Sequence, residues 1–414
     1  MNKTDLIIIG AGPGGYRAAE YAARQGLHVT IFEEGDVGGT CLIRGCIPTK
    51  TYVHSATFAE AVERQQQVVS QLRSGVESIL SHPNITLIRE RAVFGQTPLL
   101  QESLGKVPII IATGSRAKLP PIADIADPRV VTSTELLQLT TLPRRLCIIG
   151  AGVIGMEFAS VFQRFGSEVT VIETLKECLP MVDSDIAKRL RKLLEKRGIR
   201  FRMKTAVQTL ADIDADTILI ATGRQPNTDT LNLQAAGITT DSRGFLPVDD
   251  NFMIANSQQL TANSRAYAIG DVNGRQLLAH AAEMQAVRAV NHILGRTDGI
   301  RFDIMPAAIF TEPEAACVGP HEDQLKEQGV EYLCRKAFWR ANGKALAMNE
   351  TEGMLKLFSD AQDRILGCHA YGAHAADIIQ EVSVLMCRDT TVNQLADMVH
   401  IHPTLGEILK SACE

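Results

Sequence analysis

The chain has 414 residues, 45% of them hydrophobic and 21% charged, with a formal net charge of −5 at pH 7. This length predicts two to four domains with sizeable apolar cores. The small negative charge and the absence of lysine or arginine runs exclude a nucleic acid or membrane partner that is held by bulk electrostatics.

The N-terminus and the cysteines predict a cytoplasmic protein with no membrane anchor. The chain enters a short apolar run with no basic leader or cleavage site, and no apolar stretch approaches the roughly 18 residues of a membrane span. Its nine cysteines are mostly scattered, which is not the pattern of a disulfide framework. In a reducing compartment, one close cysteine pair is more often redox-active than structural. No metal site is predicted.

Residues 5–33 are typical of a dinucleotide-binding unit. A buried strand over 5–9 leads into a glycine turn, an alanine-rich helix to about Gln25 and a second strand that ends at Glu33. The turn glycines are Gly10, Gly12 and Gly15. They let the backbone approach a pyrophosphate at the helix N-terminus, while the acid accepts hydrogen bonds from a ribose.

The next segment, residues 38–50, carries Cys41 and Cys46 among glycines. One regular helix would place these two residues on different faces, too far apart for an unstrained disulfide. Pro48 is tolerated only in a first helical turn, so the regular helix should begin near Cys46. A helix N-terminus favours a thiolate, and Lys50 adds a positive charge one turn later. Alone, the pair does not outweigh a plainer interpretation as two buried cysteines beside a glycine turn.

A polar helix over 57–80, with a solvated face, and a β-like patch over 85–94 are predicted next. Two apolar strands then end in Thr-Gly turns, one at Gly114 and one at Gly223. Each turn closes one nucleotide-binding unit. A simple strand end and direct contact with a cofactor explain the two threonines equally well.

The glycine pattern recurs between residues 145 and 173. A strand over 145–149, a turn, a helix to Phe165 and a strand over 168–172 repeat the first unit. The turn glycines and the closing acid are Gly150, Gly152, Gly155 and Glu173. Two fingerprints predict two dinucleotides, and with the cysteine pair they suggest a relay of a nicotinamide carrier, a flavin and a disulfide. Glu173 favours NAD because a carboxylate repels the 2′-phosphate of NADP, and Lys176 is the only cation close by.

Residues 246–264 are predicted to be loop-rich, and a strand then ends at Asp271. An aspartate at the end of a buried strand is well placed to hold a flavin ribityl hydroxyl. Ala279 and His280 open a long predicted helix to about Leu294 and are carried as cofactor-binding candidates. His280 alone is more typical of a structural or capping histidine than of a catalytic one.

From Met305 onward, strands alternate with one or two predicted helices and no fingerprint appears, which predicts an oligomerisation domain. Near its end stand His402 and Glu407. A carboxylate that orients an imidazole makes histidine a better base near neutral pH. His402 alone fits a base and a buried structural histidine about equally well. A dithiol substrate needs a base, and His402 is the best candidate.

Together these motifs resemble the flavin-dependent pyridine nucleotide–disulfide oxidoreductases, and within them the dihydrolipoamide dehydrogenases, over essentially the whole chain. The matching segments are 10–33, 38–50, 112–115, 150–173, 221–227, 267–272 and 402–407. The resemblance implies an α/β fold with two Rossmann-like dinucleotide-binding domains and a C-terminal α+β dimerisation domain. The implied segments are 1–117 and 246–305 for FAD, 118–245 for NAD and 306–414 for dimerisation.

The resemblance also implies roles around the disulfide. Cys46 would be the sulfur beside the flavin that forms the charge-transfer thiolate, and Cys41 the outer sulfur that exchanges with substrate. Lys50 would pair with Glu157 beside the flavin N5, and Thr40 would contact the same cofactor.

Other roles follow from the same resemblance. Glu33 and Asp271 would bind FAD, and Glu173 would bind the NAD ribose. His402, with Glu407, would act across a homodimer interface on the partner's disulfide.

The implied reaction is oxidation of protein-bound dihydrolipoamide with reduction of NAD. The partner would be a lipoylated acyltransferase of a 2-oxo acid dehydrogenase complex or the glycine cleavage carrier protein. Two alternatives are an NAD(P)H-dependent reductase of another disulfide and a non-catalytic docking homologue. Glutathione reductases fit less well because residues 173–175 lack arginines for NADPH, and mercuric reductases because Cys413 is single.

The chain departs from the family pattern in two ways. The segments 50–112 and 173–221 are shorter than usual, which predicts a trimmed helical excursion and a trimmed β meander. Ile43 and Arg44 stand where asparagine and valine are common, and Gly406 replaces a bulkier residue. None of these changes removes a catalytic group.

Overall fold

The structure is a computed structural model that describes residues 4–255 and 265–414. These residues pack into two compact units, one from Met1–Lys118 and Gly223–Ile300 and the other from Leu119–Thr222 and Arg301–Glu414. The finer division into four segments stays a prediction. Within the described residues, we find no helix that combines the length and the apolar composition of a membrane span.

The strands and helices are numbered in chain order. The strands are β1 (Leu6–Ile9), β2 (Val29–Phe32), β3 (Ile85–Ile88), β4 (Ile109–Ile111), β5 (Ser115–Ala117), β6 (Val130–Val131), β7 (Arg145–Ile149), β8 (Glu168–Ile172), β9 (Arg200–Arg202), β10 (Thr217–Ile220), β11 (Arg224–Pro226), β12 (Ala266–Ala268), β13 (Ala307–Ile309), β14 (Ala315–Val318), β15 (Leu333–Phe338), β16 (Met354–Ser359) and β17 (Ile365–Tyr371). The helices are α1 (Pro13–Arg24), α2 (Gly39–Arg44), α3 (Cys46–Val53), α4 (Phe58–Leu80), α5 (Pro98–Ser103), α6 (Ser133–Leu136), α7 (Val153–Phe165), α8 (Ser184–Lys196), α9 (Ala279–Ile293), α10 (Glu322–Glu327), α11 (Gly343–Met348), α12 (Ala375–Cys387), α13 (Val392–Ala396) and α14 (Glu407–Ser411).

The first unit is built on a parallel sheet of five strands in the order β12-β4-β1-β2-β3. All four residues of β1 and of β2 are buried, as expected for strands covered on both faces by helices. Helix α1 packs closely against α9. The first glycine turn therefore lies at the carboxyl edge of the central strand, where open α/β sheets bind ligands.

The second unit contains a sheet with the same arrangement and a different one after it. The order β6-β10-β7-β8-β9 is parallel and again places the strand before a glycine turn at the centre. An antiparallel sheet follows in the order β13-β14-β17-β16-β15. Its core contains Trp339, fully buried, whose Nε1–H donates to the Ala373 carbonyl at 3.0 Å. The predicted α/β fold with two Rossmann-like domains and a C-terminal α+β domain is confirmed.

Some element predictions are corrected by the structure. The C-terminal region has five α-helices, α10–α14, where one or two were expected. Four of them are only five or six residues long, too short for an apolar helical period. The patch over 85–94 forms a strand only as far as Ile88. The loop prediction for 246–264, by contrast, agrees with the structure over 246–255, which form no strand or helix; residues 256–264 lie outside the described residues.

The second unit encloses a buried charge cluster centred on Lys356, whose side chain is 1% exposed. Its Nζ donates to both Asp183 carboxylate oxygens, at 2.7 and 2.8 Å, and to Glu322 Oε2 at 2.5 Å. The Asp183 backbone N–H donates to His369 Nδ1 at 3.0 Å. Burial lowers the pKa of His369 to about 4, so that ring is neutral. The cluster ties the start of α8 to two strands of the antiparallel sheet.

Replacing Lys356 with methionine should leave the Asp183 and Glu322 carboxylates without their cation. We expect the free energy of unfolding to fall by about 3–5 kcal/mol, as when one partner of a buried ion pair is lost. Lys326→Met removes an exposed partner of Glu322, 3.0 Å away, and should cost less than about 1 kcal/mol. Urea unfolding midpoints of the two variants make the comparison. Equal midpoints would mean that the buried cluster stabilises the unit no more than a surface pair does.

The same cluster predicts a loss of stability in acid. The hydrogen bond from Lys356 lowers the pKa of Glu322 from its ordinary 4.5 to about 2. A carboxylate with a lowered pKa in the folded state contributes stability above its unfolded value and loses it as the pH falls toward the folded value. We therefore expect the stability difference between wild type and Lys356→Met to shrink between pH 4.5 and pH 2, measured by urea unfolding. A difference that stays constant over this range would contradict the assignment.

Candidate active site

The first dinucleotide turn joins β1 to α1 and is braced by its own acid. Gly10 has φ +101°, and a Cβ there would lie 2.5 Å from the Ala112 carbonyl oxygen. Glu33 Oε2 accepts the Ala11 N–H at 2.7 Å, and Oε1 accepts the Gly35 N–H at 2.9 Å. No side chain caps the start of α1. The first helical N–H groups are therefore not taken by a capping side chain, which fits a bound pyrophosphate.

The second turn, between β7 and α7, repeats this geometry. Glu173 Oε2 accepts the Ala151 N–H at 2.7 Å, and Oε1 accepts the Leu175 N–H at 2.8 Å. A Cβ on Gly150, at φ +108°, would collide with the Ala221 carbonyl oxygen. Gly155 packs against Gly150, as Gly15 does against Gly10. A Cβ on Gly152 would meet no other part of the chain within 4 Å, so the space beside this residue is open. This turn also fits a dinucleotide.

Residues 38–50, called the redox segment below, carry their two cysteines on separate helices. Helix α2 carries Cys41 and ends before Gly45, and α3 begins at Cys46. The predicted helix start is confirmed. Cys46 is exposed and Cys41 half-buried. A hydrogen bond with Cys46, and then burial, raise the pKa of the Cys41 thiol. Lys50 lies one turn after Cys46 on α3, as predicted.

This redox segment packs directly on the first dinucleotide turn. A Cβ on Gly39, at φ +61°, would lie 2.6 Å from the Gly12 Cα, and the Gly38 N–H donates to the Ala11 carbonyl at 2.8 Å. Thr40 follows in α2. Only glycine allows this approach of two backbones. The segment that carries both cysteines is therefore held in a fixed position relative to the first glycine turn.

The sequence analysis missed Tyr16 and Glu283, which lie beside the cysteines. The Tyr16 hydroxyl donates to Glu283 Oε1 at 3.4 Å. Burial raises the pKa of Tyr16 to about 12, with added electrostatic effects of Glu283 and Cys41. Glu283 also adds to the raised pKa of Cys41. These residues come from α1 and α9, which meet only in the fold, so no local motif marks them.

A polar network holds Asp271 at the carboxyl edge of β12. Ser115 Oγ donates to Asp271 Oδ2 and accepts from Arg224 Nε at 2.6 Å. Arg224 Nη2 donates to the Ser115 carbonyl at 2.6 Å, and its Nε lies 3.5 Å from Asp271 Oδ2. Strands β5 and β11 pair antiparallel, so the turns at Gly114 and Gly223 come together here. The sequence motifs contain Ser115 and Arg224 but do not predict that they hold Asp271.

The Asp271 turn is also tied to α9, which begins at Ala279 and carries His280, exposed, in its first turn. Gln285 Oε1 accepts the Gly270 N–H at 2.8 Å. Gln285 Nε2 is buried with no hydrogen-bond partner among the described residues. An orphaned buried donor beside this turn fits a polar cofactor or a water that binds there.

The candidate base belongs to the second unit. His402 is 79% exposed, and its Nδ1 lies 2.9 Å from Glu407 Oε1. Glu407 Oε2 accepts the Thr404 N–H at 2.9 Å. The Thr404 N–H, and then His402, hold the pKa of Glu407 below its usual value. When Nδ1–H donates to this carboxylate, Nε2 carries the lone pair that can take a proton.

Glu157, the predicted partner of Lys50, is 4% exposed on α7. Its Oε1 accepts the Phe310 N–H at 2.9 Å. The pairing of Glu157 with Lys50 stays a prediction.

Comparisons with known proteins point to one family. The pattern described as pyridine nucleotide-disulphide oxidoreductase matches residues 4–286, and that of its dimerisation domain matches residues 305–413. Mitochondrial dihydrolipoyl dehydrogenase of Pisum sativum is 35% identical over 99% of this chain and 91% of the relative. Leghemoglobin reductase of Glycine max is 36% identical over 99% and 87%.

A solved structure is similar over the whole chain. It is the Cu(II) complex of the HOCl-induced flavoprotein disulfide reductase RclA from Escherichia coli, with a TM-score of 0.90, 32% identity, and coverage of 100% of this chain and 99% of that chain. The alignment with the pea protein spans 466 positions, more than the 414 residues here, so that relative carries segments this chain lacks.

Arg224→Met should weaken FAD binding, because it removes the cation that fixes Ser115 and Asp271. We expect the dissociation constant of FAD to rise about tenfold, the loss of roughly one charge-assisted hydrogen bond. Arg116→Met is the matched control: Arg116 is 44% exposed on β5 and pairs with Asp229 at 2.7 Å. Flavin fluorescence during reconstitution of the apoprotein gives both constants. If the two variants bind FAD equally, Arg224 does not position Asp271 for the cofactor.

Glu173→Gln should relax the preference for NAD, because it removes the negative charge that repels a 2′-phosphate but keeps an acceptor for the Ala151 N–H. We expect the ratio of kcat/KM for NAD over NADP to fall at least about tenfold. Glu168→Gln, at the exposed start of β8, should leave the ratio unchanged. Steady-state kinetics with both coenzymes measures it, and an unchanged ratio for Glu173→Gln would refute the role.

Proposed function

Because the chain belongs to the pyridine nucleotide-disulphide oxidoreductases and is an NAD-dependent flavoprotein that uses FAD and NAD(H), we propose that it oxidises protein-bound dihydrolipoamide to lipoamide and reduces NAD to NADH. The observation that carries the proposal is the His402–Glu407 pair at 2.9 Å. A dithiol must lose a proton before it can attack a disulfide. Dihydrolipoyl dehydrogenases among the relatives, 33–35% identical, support the choice of dithiol.

In this proposal His402, supplied across a homodimer, takes a proton from one substrate thiol. The thiolate attacks the Cys41 sulfur, the Cys41–Cys46 bond breaks, and Cys46 leaves as a thiolate. His402 releases this first proton to solvent and takes the proton of the second substrate thiol, which attacks the mixed disulfide, closes lipoamide and releases Cys41 as a thiolate. The second proton then passes from His402 to Cys41, whose raised pKa favours the thiol, while Cys46 stays a thiolate. Bound FAD supplies the two-electron chemistry that links the dithiol to NAD.

The site residues have proposed roles in binding as well. Glu33 and the first turn would hold the FAD adenosine, with Thr40 and Lys50 near the flavin. Asp271 would hold the ribityl chain, while Glu173 and the second turn would hold NAD. Hydrogen bonds within the chain already orient Glu33, Glu173 and Asp271, so little reorganisation is needed on binding.

A homodimer is part of the proposal. The dimerisation domain that matches residues 305–413 supports it. Val399 is 99% exposed and Ile401 79% exposed, on either side of His400 and next to His402. Apolar side chains this exposed beside a catalytic base suit a surface that a second copy covers. The partner would be a lipoylated protein of a 2-oxo acid dehydrogenase complex or the glycine cleavage system, and cytoplasmic placement stays a prediction.

A second candidate function is NAD(P)H-driven reduction of another disulfide by the same cysteine pair. Its support is the similarity to RclA, described as a disulfide reductase, which covers 99% of that chain, and to leghemoglobin reductase. The two candidates differ in the substrate that reaches Cys41. A non-catalytic docking role has no support in the site, because both cysteines, His402 and Glu407 are retained.

Anaerobic titration of the purified flavoprotein with dihydrolipoamide tests the proposal. We expect the long-wavelength absorption of a thiolate beside the flavin, followed by its loss and NADH formation when NAD is added. Cys41→Ser should abolish this response to dihydrolipoamide, because no disulfide remains to be reduced. His402→Gln should slow it by about 10²–10⁴-fold, the usual contribution of a general base.

Two other outcomes decide between the alternatives. If dihydrolipoamide leaves the spectrum unchanged while NADH or NADPH reduces the protein, the lipoamide assignment fails and the second candidate stands. If the protein is colourless and cannot be reconstituted with FAD, both enzymatic candidates fail.

A further inference from the structure

A second histidine–carboxylate pair lies two residues before the candidate base. The His400 side chain is 9% exposed. Its Nε2 lies 3.0 Å from Glu381 Oε1 on α12, and its Nδ1 lies 3.3 Å from the Met398 carbonyl oxygen. His402, by contrast, is 79% exposed. The chain therefore carries a half-buried, bonded histidine two residues before an exposed one.

Both ring nitrogens of His400 face hydrogen-bond acceptors. A neutral imidazole has one N–H and donates to only one of them, whereas a protonated ring donates to both. Glu381 Oε1 lies within ion-pair distance of Nε2. The pKa of Glu407 is lowered mainly by the Thr404 N–H and His402, and the charge of His400 adds to this effect. His400 is thus coupled electrostatically to the carboxylate that orients His402.

Contacts around Gly406 show how Glu381 approaches the same segment. A Cβ on Gly406 would lie 3.6 Å from Glu381 Oε2 and 3.8 Å from His400 Cδ2. The Glu381 carboxylate therefore lies against both His400 and the residue that precedes Glu407. On the far side of His402, Thr404 Oγ1 donates to the Ile401 carbonyl at 2.7 Å. The backbone is fixed on both sides of the base.

We propose that His400 and Glu381 are a positioning pair for His402. The inference rests on the proposed function, in which His402 moves the proton between the dithiol and Cys41. The His400 ring lies between two acceptors, the Met398 carbonyl oxygen and Glu381 Oε1. Glu381 is on α12, a helix of 13 residues. The pair fixes the backbone at position 400 and therefore the direction in which the exposed His402 side chain, two residues later, leaves it. Because its side chain is only 9% exposed and lies against Glu381, His400 acts through His402 and not on the substrate.

The test compares Glu381→Gln with Asp377→Asn. Glu381→Gln keeps the size of the side chain and an acceptor for Nε2 but removes the charge. Asp377→Asn is a matched control, because Asp377 is on the same helix and lies 3.3 Å from the ring of His374, with both side chains exposed. Each substitution is made alone and together with His402→Gln. Sedimentation checks that every variant is dimeric.

Three reactions are measured for each variant: NADH-driven reduction of lipoamide, of 2-hydroxyethyl disulfide and of ferricyanide, which bypasses disulfide exchange. We expect Glu381→Gln to lower kcat for both disulfides about tenfold, a part of what a general base contributes. The KM for NADH and the ferricyanide rate should change less than about twofold, and so should every rate of Asp377→Asn. In the His402→Gln background, Glu381→Gln should add less than about twofold.

Three results would overturn the inference. The kcat values of Glu381→Gln for both disulfides could equal those of Asp377→Asn. The ferricyanide rate of Glu381→Gln could fall as much as its disulfide rates, or Glu381→Gln could lower the disulfide rates about tenfold even in the His402→Gln background. If Glu381→Gln does not fold, the same rates are measured for His400→Gln and the same fold-changes are expected. Wild-type protein that reduces 2-hydroxyethyl disulfide but not lipoamide refutes the lipoamide proposal and leaves the pair to be judged on the first disulfide. Reduction of neither refutes both.

Discussion

The approach of Gly39 to Gly12 is the contact on which the first unit's chemistry depends. It places the helix that carries Cys41 directly on the first glycine turn, where a dinucleotide is predicted to bind. The backbone of Ala11 is held on both sides, because its N–H donates to Glu33 and its carbonyl accepts from Gly38. The closing acid of β2 and the segment that carries the cysteines thus both bond to one residue of the turn. Any residue larger than glycine at position 39 would separate the sulfur pair from that turn.

Fixed carboxylates recur at each predicted site. Glu33 and Glu173 accept backbone N–H groups of their own turns, and Glu407 accepts one from Thr404. Asp271 is held by Ser115 instead. A carboxylate that is already bonded at one oxygen has lost most of its rotational freedom before a ligand arrives. The sites are therefore organised by short-range hydrogen bonds, most of them from the backbone.

The sequence predicts the parts of this arrangement that depend on local spacing. Both fingerprints, the helix start at Cys46 and the contact of His402 with Glu407 lie within a few residues or within one strand–turn–helix unit, so periodicity and turn chemistry reveal them. The bond from Arg224 to Ser115 and the ion pair of Lys356 with Asp183 join residues far apart in the chain. Only the strand order brings such residues together, and the sequence carries no local signal for it. The short C-terminal helices were not predicted for another reason, because five or six residues make too few turns to show an apolar face.

The two glycine turns differ in what lies against them, although Glu33 and Glu173 accept equivalent backbone N–H groups. Gly12 is covered by the backbone of Gly39, whereas Gly152 faces open space. Both turns are built from the same elements, so the turns alone do not distinguish the two sites. A side chain at position 39 would push the segment that carries Cys41 away from the first turn, whereas a Cβ at position 152 would meet no other segment of the chain within 4 Å. The duplicated motif is thus committed to the cysteines at its first copy and free of such a contact at its second.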